Sequence, residues 1–414
     1  MNRMFTRVTP TALAKLTFVV VCAAGCSPEP VLPKQNSSSE SFVGSPACQN
    51  CHLDIYERWQ DTLMANVLQD PREHPAAILA DFNRDDPLVT FNKEDVTFTY
   101  GSKWKQRYFK RVGSDLFVLP AQWDVRQREW RRYHPQPGGD WWADYYPLDP
   151  MQRPTGPLCD GCHSVNYDIE TKTPTEWNVG CEACHGPGEA HVQNAVTGNI
   201  VNPSRLHPMT ATDVCIQCHS QGQPHTNPIG GFYFDWPVGY RPGLRLSDYW
   251  ALDESHLGEE TFTHWPDGSA HKNRMQGNDY IQSQMYVKGV SCSGCHDAHG
   301  TEFEADLIMP ATDLCLTCHQ PQLQPGPAES VTDHTRHAID SEGSQCVACH
   351  MPEIARTVGT TNVRSHTFKF ISPALTEQHG IPNPCTTCHS EETNAWALNE
   401  LRQWEHVSPW RVAP

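Results

Sequence analysis

Eight times this 414-residue sequence writes Cys-x-x-Cys-His. In chain order, motifs I to IV are Cys48/Cys51/His52, Cys159/Cys162/His163, Cys181/Cys184/His185 and Cys215/Cys218/His219. Motifs V to VIII are Cys292/Cys295/His296, Cys315/Cys318/His319, Cys346/Cys349/His350 and Cys385/Cys388/His389. Together they use sixteen of the eighteen cysteines. Two thiols three residues apart can add across the two vinyl groups on one porphyrin edge, and the adjacent imidazole then lies under the iron. That is the chemistry of a c-type haem attachment site. A zinc or disulfide protein also uses Cys-x-x-Cys, but it would have to place His after every second Cys eight times by accident. The spacing therefore predicts eight covalent haems c, with His52, His163, His185, His219, His296, His319, His350 and His389 as proximal ligands.

Those motifs need elements to hold them. The phrase "MTATDVCIQCH" (209–219) returns as "MPATDLCLTCH" (309–319), and each copy ends a two-motif module, III–IV or V–VI. Such modules bury little apolar surface alone and need neighbours. The hydrophobic fraction is 38% and there are 34 prolines. A globular chain that builds its own core usually has about 45–50% apolar residues. The shortfall is explained if porphyrins form most of the core. The expected fold is mainly α with low secondary-structure content, wrapped around eight covalent haems. One stretch differs. Residues 95–133 alternate apolar and polar side chains, with Val96, Phe98 and Tyr100 on one face and Leu116 and Val118 following a Gly-Ser-Asp turn. This predicts a small antiparallel β insertion near 88–147, packing its aromatics on the first haems or offering a docking surface.

The N-terminus has a basic start (Arg3, Arg7, Lys15) and a short apolar run from Leu16 to Ala24, too short for a membrane span. "AAGC" resembles a bacterial lipoprotein cleavage box with Cys26 as the lipidated residue, and Ser27 after it implies outer-membrane sorting. Residues 27–42 are polar and rich in Pro and Ser, the composition of a flexible tether. The layout is a signal peptide over 1–25, a lipidated tether over 26–42, a first haem segment over 43–87 and the β-rich insertion over 88–147. A seven-haem domain over 148–395 and a C-terminal tail over 396–414 follow. The formal charge is −17. It becomes about −20 without the signal, which excludes nucleic acid as a partner.

"GCEACHGPGEAH", "GVSCSGCHDAHG" and "HTRHAIDSEGSQCVACHMP" resemble the multihaem cytochrome c superfamily of cytochrome c nitrite reductase, hydroxylamine oxidoreductase and the tetrahaem cytochrome of ammonia oxidisers. The resemblance covers residues 155–390. It implies haems stacked in parallel and perpendicular pairs, mostly with His on both iron faces. All eight motifs here end in His, whereas nitrite reductases of the family often carry Cys-x-x-Cys-Lys, and no tyrosine matches the cross-linked one of hydroxylamine oxidoreductase. Of the 22 histidines, fourteen lie outside the motifs. His191 and His299 stand at family-like positions just past motifs III and V. His225 has the same offset from His219 that His191 has from His185. His337 (with His334 its competitor), His366 and His271 complete the expected distal set. Met64, where relatives often carry a His, is a candidate thioether ligand for the first haem, which would raise its potential.

The expected function is electron transfer along closely packed, mostly bis-His haems, in the periplasm or at the outer membrane. Expected partners are a quinol-linked cytochrome, a terminal reductase or an outer-membrane conduit, with membrane contact through Cys26. The alternatives are a reductase or oxidase of a small nitrogen or sulfur oxyanion at one open iron, and a polymerised haem filament. Cys26→Ala is expected to move the protein from the membrane fraction to the soluble fraction with its haem content unchanged. Retention in the membrane would place the anchor elsewhere.

Overall fold

A helical turn puts residues i, i+3 and i+4 on one side, and the motifs use this directly. In six of them the N–H of the motif histidine donates to the carbonyl of the first cysteine, at 2.8–3.2 Å for His52, His163, His219, His296, His319 and His389. In the other two the motif is itself a helix, Cys181–His185 and Cys346–His350. Both sulfurs and the imidazole are thereby held on one face. The repeated phrase folds the same way in both copies: helices Pro208–Ile216 and Ala311–Leu316 lead into motifs IV and VI.

The structure is a computed structural model that describes residues 41–134, 147–319 and 330–404. The signal, Cys26 and nearly all of the tether lie outside the described residues, as do residues 135–146 of the insertion. All described residues belong to one unit, 39–414. Its helices are short, the longest being Pro208–Ile216 and Asn394–Arg402, and irregular chain joins them. Among the described residues no helix is long and apolar enough to cross a membrane. Asn394–Arg402 falls mostly in the stretch expected to be a tail. It buries Ala397, Leu398 and Leu401, and the Thr393 hydroxyl caps its start by accepting from Trp396 N–H at 3.1 Å.

The β region is an antiparallel sheet of six strands: β1 (Leu68–Gln69), β2 (Phe98–Tyr100), β3 (Lys105–Val112), β4 (Asp115–Val118), β5 (Ala121–Asp124) and β6 (Glu129–Arg132). The order is β1-β2-β3-β5-β6, with β4 also pairing with β3. β1 comes from the first haem segment rather than from the insertion, and it pairs Leu68 with Tyr100. Alternation gives the sheet two apolar sides. Tyr108, Trp123 and Trp130 pack under Phe82 and Phe91, while Phe109, Leu116 and Val118 gather with Tyr100 and Trp177. The second side turns toward motif II.

Two carboxylates fasten the beginning of this unit to motif III. Glu182, inside the motif and 1% exposed, accepts from the N–H groups of Val43, Gly44 and Gly188 at 2.7–3.1 Å. Glu176 accepts from Ser45 N–H at 3.1 Å and from its hydroxyl at 2.7 Å. Motif I follows three residues later. Glu182→Ala leaves three inward N–H groups unpaired and is expected to cost roughly 3 kcal/mol, at about 1–3 kcal/mol per buried unsatisfied group. Chemical denaturation and faster proteolysis near residue 43 would measure it. An unchanged denaturation midpoint would show that the contacts are replaceable.

Candidate haem centres

A bis-imidazole iron has a recognisable footprint. With axial bonds of about 2 Å at each nitrogen, the two ring centres lie roughly 6.3 Å apart. Five imidazole pairs have this spacing. They are His52–His191 at 6.3 Å, His185–His299 at 6.1 Å, His296–His366 at 6.5 Å, His350–His334 at 6.1 Å and His389–His337 at 6.1 Å. Direct ring stacking would be much closer, and a hydrogen-bonded pair would not hold the rings this nearly parallel. Interplanar angles run from 13° to 35°. In every pair one ring belongs to a motif; in four the other comes from a distant segment, whereas His334 stands just ahead of its own motif VII.

In six of these ten rings Nδ1 is anchored. Nδ1 bonds Val201 O at 2.8 Å in His185, Val196 O at 3.2 Å in His191 and Ala305 O at 2.9 Å in His296. In His337 and His366 it bonds Thr335 O at 2.6 Å and Arg364 O at 3.2 Å. In His299 it meets Asp297 Oδ1 at 2.8 Å, and the same carboxylate accepts from Arg58 at 3.0 Å. Holding the proton on Nδ1 leaves the Nε2 lone pair for a metal, as outer partners of metal-bound histidine do. Burial keeps the inner rings neutral. It lowers the pKa of His185 and, with His296 alongside, takes that of His366 down to about 4. These residues fit haem iron. They do not fit zinc: among the described residues no three His, Cys, Asp or Glu gather around one point, and none of the sixteen described cysteines forms a disulfide.

The thiols place the motifs beside one another. Cys48 approaches Cys181, Cys162 approaches Cys218, Cys215 approaches Cys292 and Cys315 approaches Cys346, each within hydrogen-bond reach. Cys184 is close enough to Cys215 and Cys218 to act on them electrostatically, as is Cys318 to Cys295, and Cys385 and Cys388 to Cys349. Motifs I, III, IV, V, VI, VII and VIII thus form a row, and motif II abuts IV.

Of the expected distal residues, His191, His299, His337 and His366 each face a motif imidazole, and so does His334. "HTRH" therefore serves two centres, with His334 facing motif VII and His337 facing VIII. Three expected residues face no motif imidazole. The ring opposite His52 is His191, not Met64, which lies in the turn after helix Leu53–Gln60 and whose carbonyl accepts from Val179 N–H at 3.1 Å. His225 is exposed and spends Nε2 on Ser247 O at 2.8 Å, because the pairing of Gly222–Pro224 with Trp250–Leu252 carries it away. His271 is buried against Trp265, 4.0 Å between ring centres, with Lys272 Nζ 3.0 Å from its Nδ1, and no motif histidine faces it.

Motif II differs. Its His163 Nε2 is 2.7 Å from the hydroxyl of Tyr100, and its buried Nδ1 has no hydrogen-bond partner. Burial, then Arg274, His219 and Arg107, push its pKa down to about 3. Gly161 lies between the two cysteines of this motif, where a Cβ would come within 2.0 Å of the Trp236 ring. Nothing in the pattern around residue 100 flags Tyr100 beyond its place on the inward face of β2.

These features define a protein that binds haem c covalently at several centres. Comparison with known proteins agrees. The family model "Doubled CXXCH motif" matches residues 285–324, and "Cytochrome c554 and c-prime" matches 144–186. Over these two stretches the chain is similar to multihaem c-type cytochromes. No curated protein matches it. Among solved structures, the outer cell wall cytochrome OcwA shares the fold, with a TM-score of 0.72 and 23% identity over 89% of this chain and 87% of that one. An undecahaem cytochrome from the S-layer of Carboxydothermus ferrireducens has a TM-score of 0.48 at 15% identity, covering 89% of this chain and 61% of that one. The octahaem sulfite reductase MccA of Wolinella succinogenes scores 0.42 at 15% identity, covering 81% and 59%.

His191→Ala is expected to convert one low-spin centre to high-spin without loss of haem, while His225→Ala leaves the spectrum unchanged. Paramagnetic resonance of the oxidised protein distinguishes the two. Equal effects from both would break the pairing of His191 with His52.

Proposed function

We propose that this protein is an eight-haem electron carrier in which electrons pass along the row I–III–IV–V–VI–VII–VIII, with haem II as a side branch at haem IV. The observation that carries the reading is the cross-pairing of imidazoles between motifs, backed by the contacts between motif cysteines. Four of the five pairs tie a haem to a segment next to another motif, and the fifth, His334–His350, closes motif VII with its own lead-in, so neighbouring porphyrins are held close. A chain of about 390 residues has a radius of gyration of roughly 21 Å, and eight porphyrins inside it have close edges. The protein supplies spacing, axial ligands and burial, and the cofactor supplies the redox change. Such a row accepts electrons at one end from a quinol-linked cytochrome and delivers them at the other to a terminal reductase or an outer-membrane conduit.

Export is part of the proposal. The N-terminal pattern with Cys26 and the likeness in fold to an outer cell wall cytochrome support a lipid-anchored position outside the cytoplasm. A second reading is favoured by motif II, where His163 meets the Tyr100 hydroxyl and Arg107 and Arg274 are near enough to act on it. An iron there would be suited to reducing a small oxyanion, with the row as its electron supply.

The mature protein is expected to exceed its polypeptide mass by eight haems plus lipid. Cys292→Ser with Cys295→Ser removes haem V and is expected to slow electron equilibration along the row at least tenfold. Cys159→Ser with Cys162→Ser removes haem II and is expected to change it less than twofold. Equal slowing in both variants, read by flash reduction of protein with seven haems confirmed by mass, would overturn the branched order.

A further inference from the structure

We infer that the phenol oxygen of Tyr100 closes the distal face of the iron held by His163, so that haem II is capped by the β-sheet instead of by a second imidazole. The inference rests on the reading that motif II carries haem.

Three observations lead there. First, the Tyr100 hydroxyl sits 2.7 Å from Nε2 of His163, with the rings 4.8 Å apart at 85°. Nε2 is the nitrogen that the neighbouring motif imidazoles keep for metal by anchoring Nδ1, so the phenol is aimed at the iron-binding atom itself. Secondly, no described imidazole competes for that place, whereas five other motif histidines each have one at 6.1–6.5 Å. Thirdly, Tyr100 is braced from behind. It stacks on Phe109 at 5.3 Å and 16°, pairs in register with Leu68 on β1 and Arg107 on β3, and lies 5.9 Å beneath the Arg107 guanidinium.

Two axial bonds of about 2 Å need roughly 4 Å between the ligand atoms. The hydroxyl therefore draws back by about 1 Å on binding, which rotation of the side chain supplies without disturbing the strand. Tyrosine is an established haem ligand type; it binds ferric iron as the phenolate, so the hydroxyl proton leaves to solvent as the bond forms, and the Arg107 guanidinium at 5.9 Å offsets the charge. Haem II is then a guarded centre, closed to small ligands at rest.

The test uses the full-length haem-loaded protein. Tyr100→Phe is expected to leave one iron five-coordinate and high-spin, and to bind carbon monoxide in the reduced state at one extra equivalent or at least tenfold faster than wild type. Tyr100→His is expected to make the same centre low-spin and closed to carbon monoxide. Wild-type spin state and carbon monoxide kinetics in Tyr100→Phe, or a Tyr100→His centre that still binds the gas, would overturn the inference. Mass separates this from failure of the underlying reading: wild type with no haem on Cys159 and Cys162 would sink the haem assignment itself, while a full complement with an unmoved spectrum would sink only the role of Tyr100.

Discussion

The arrangement depends on one constraint: two imidazole rings must be held about 6 Å apart on opposite sides of one point, and a short helical turn can supply only one of them. Cysteine, cysteine and histidine at i, i+3 and i+4 exhaust one face of a turn. The opposing ring has to come from elsewhere, and in all five pairs it comes from a segment outside the motif it serves. Once ligation is exchanged in this way, motifs cannot sit apart. The row of thiol contacts, the docking of residues 43–45 by Glu176 and Glu182, and the double use of Asp297 by His299 and Arg58 all serve that demand. Polar groups do much of the fastening, which accords with a chain of 38% hydrophobic residues.

The motif halves of these centres were legible because covalent attachment leaves no freedom in spacing. The distal halves were legible only as a set of candidates. His191 and His225 share an offset of six from a motif histidine, and yet one faces His52 and the other hydrogen-bonds Ser247. Local spacing says nothing about where the segment goes next, and a two-strand pairing at 222–224 decides the matter for His225. The same limit hid the two-way split of "HTRH". It also favoured Met64, at a position where relatives often carry a His, when the ring facing His52 is His191.

The β insertion was readable from its alternation, but not its extent or its target. Leu68–Gln69 joins it from the first haem segment, since a two-residue strand carries no periodicity. The sheet divides its aromatics between its own core under Phe82 and the side that reaches motif II. Tyr100 arrives at His163 through the second role, a consequence of register and not of any local motif.

Exchange of ligands also sets an order of events during biogenesis. A chain exported from its N-terminus presents Cys48 and Cys51 to the attachment machinery well before His191 emerges, and Cys181 and Cys184 well before His299. Haems on motifs I, III and V would then be fixed while their irons have one protein ligand, and each would become six-coordinate only as His191, His299 and His366 arrive. Maturation would then include three deferred closures, whereas His334 and His337 emerge before motifs VII and VIII, the rings they face. A truncated chain would carry its haems but would be marked by open irons, a chemical signature by which unfinished molecules differ from finished ones.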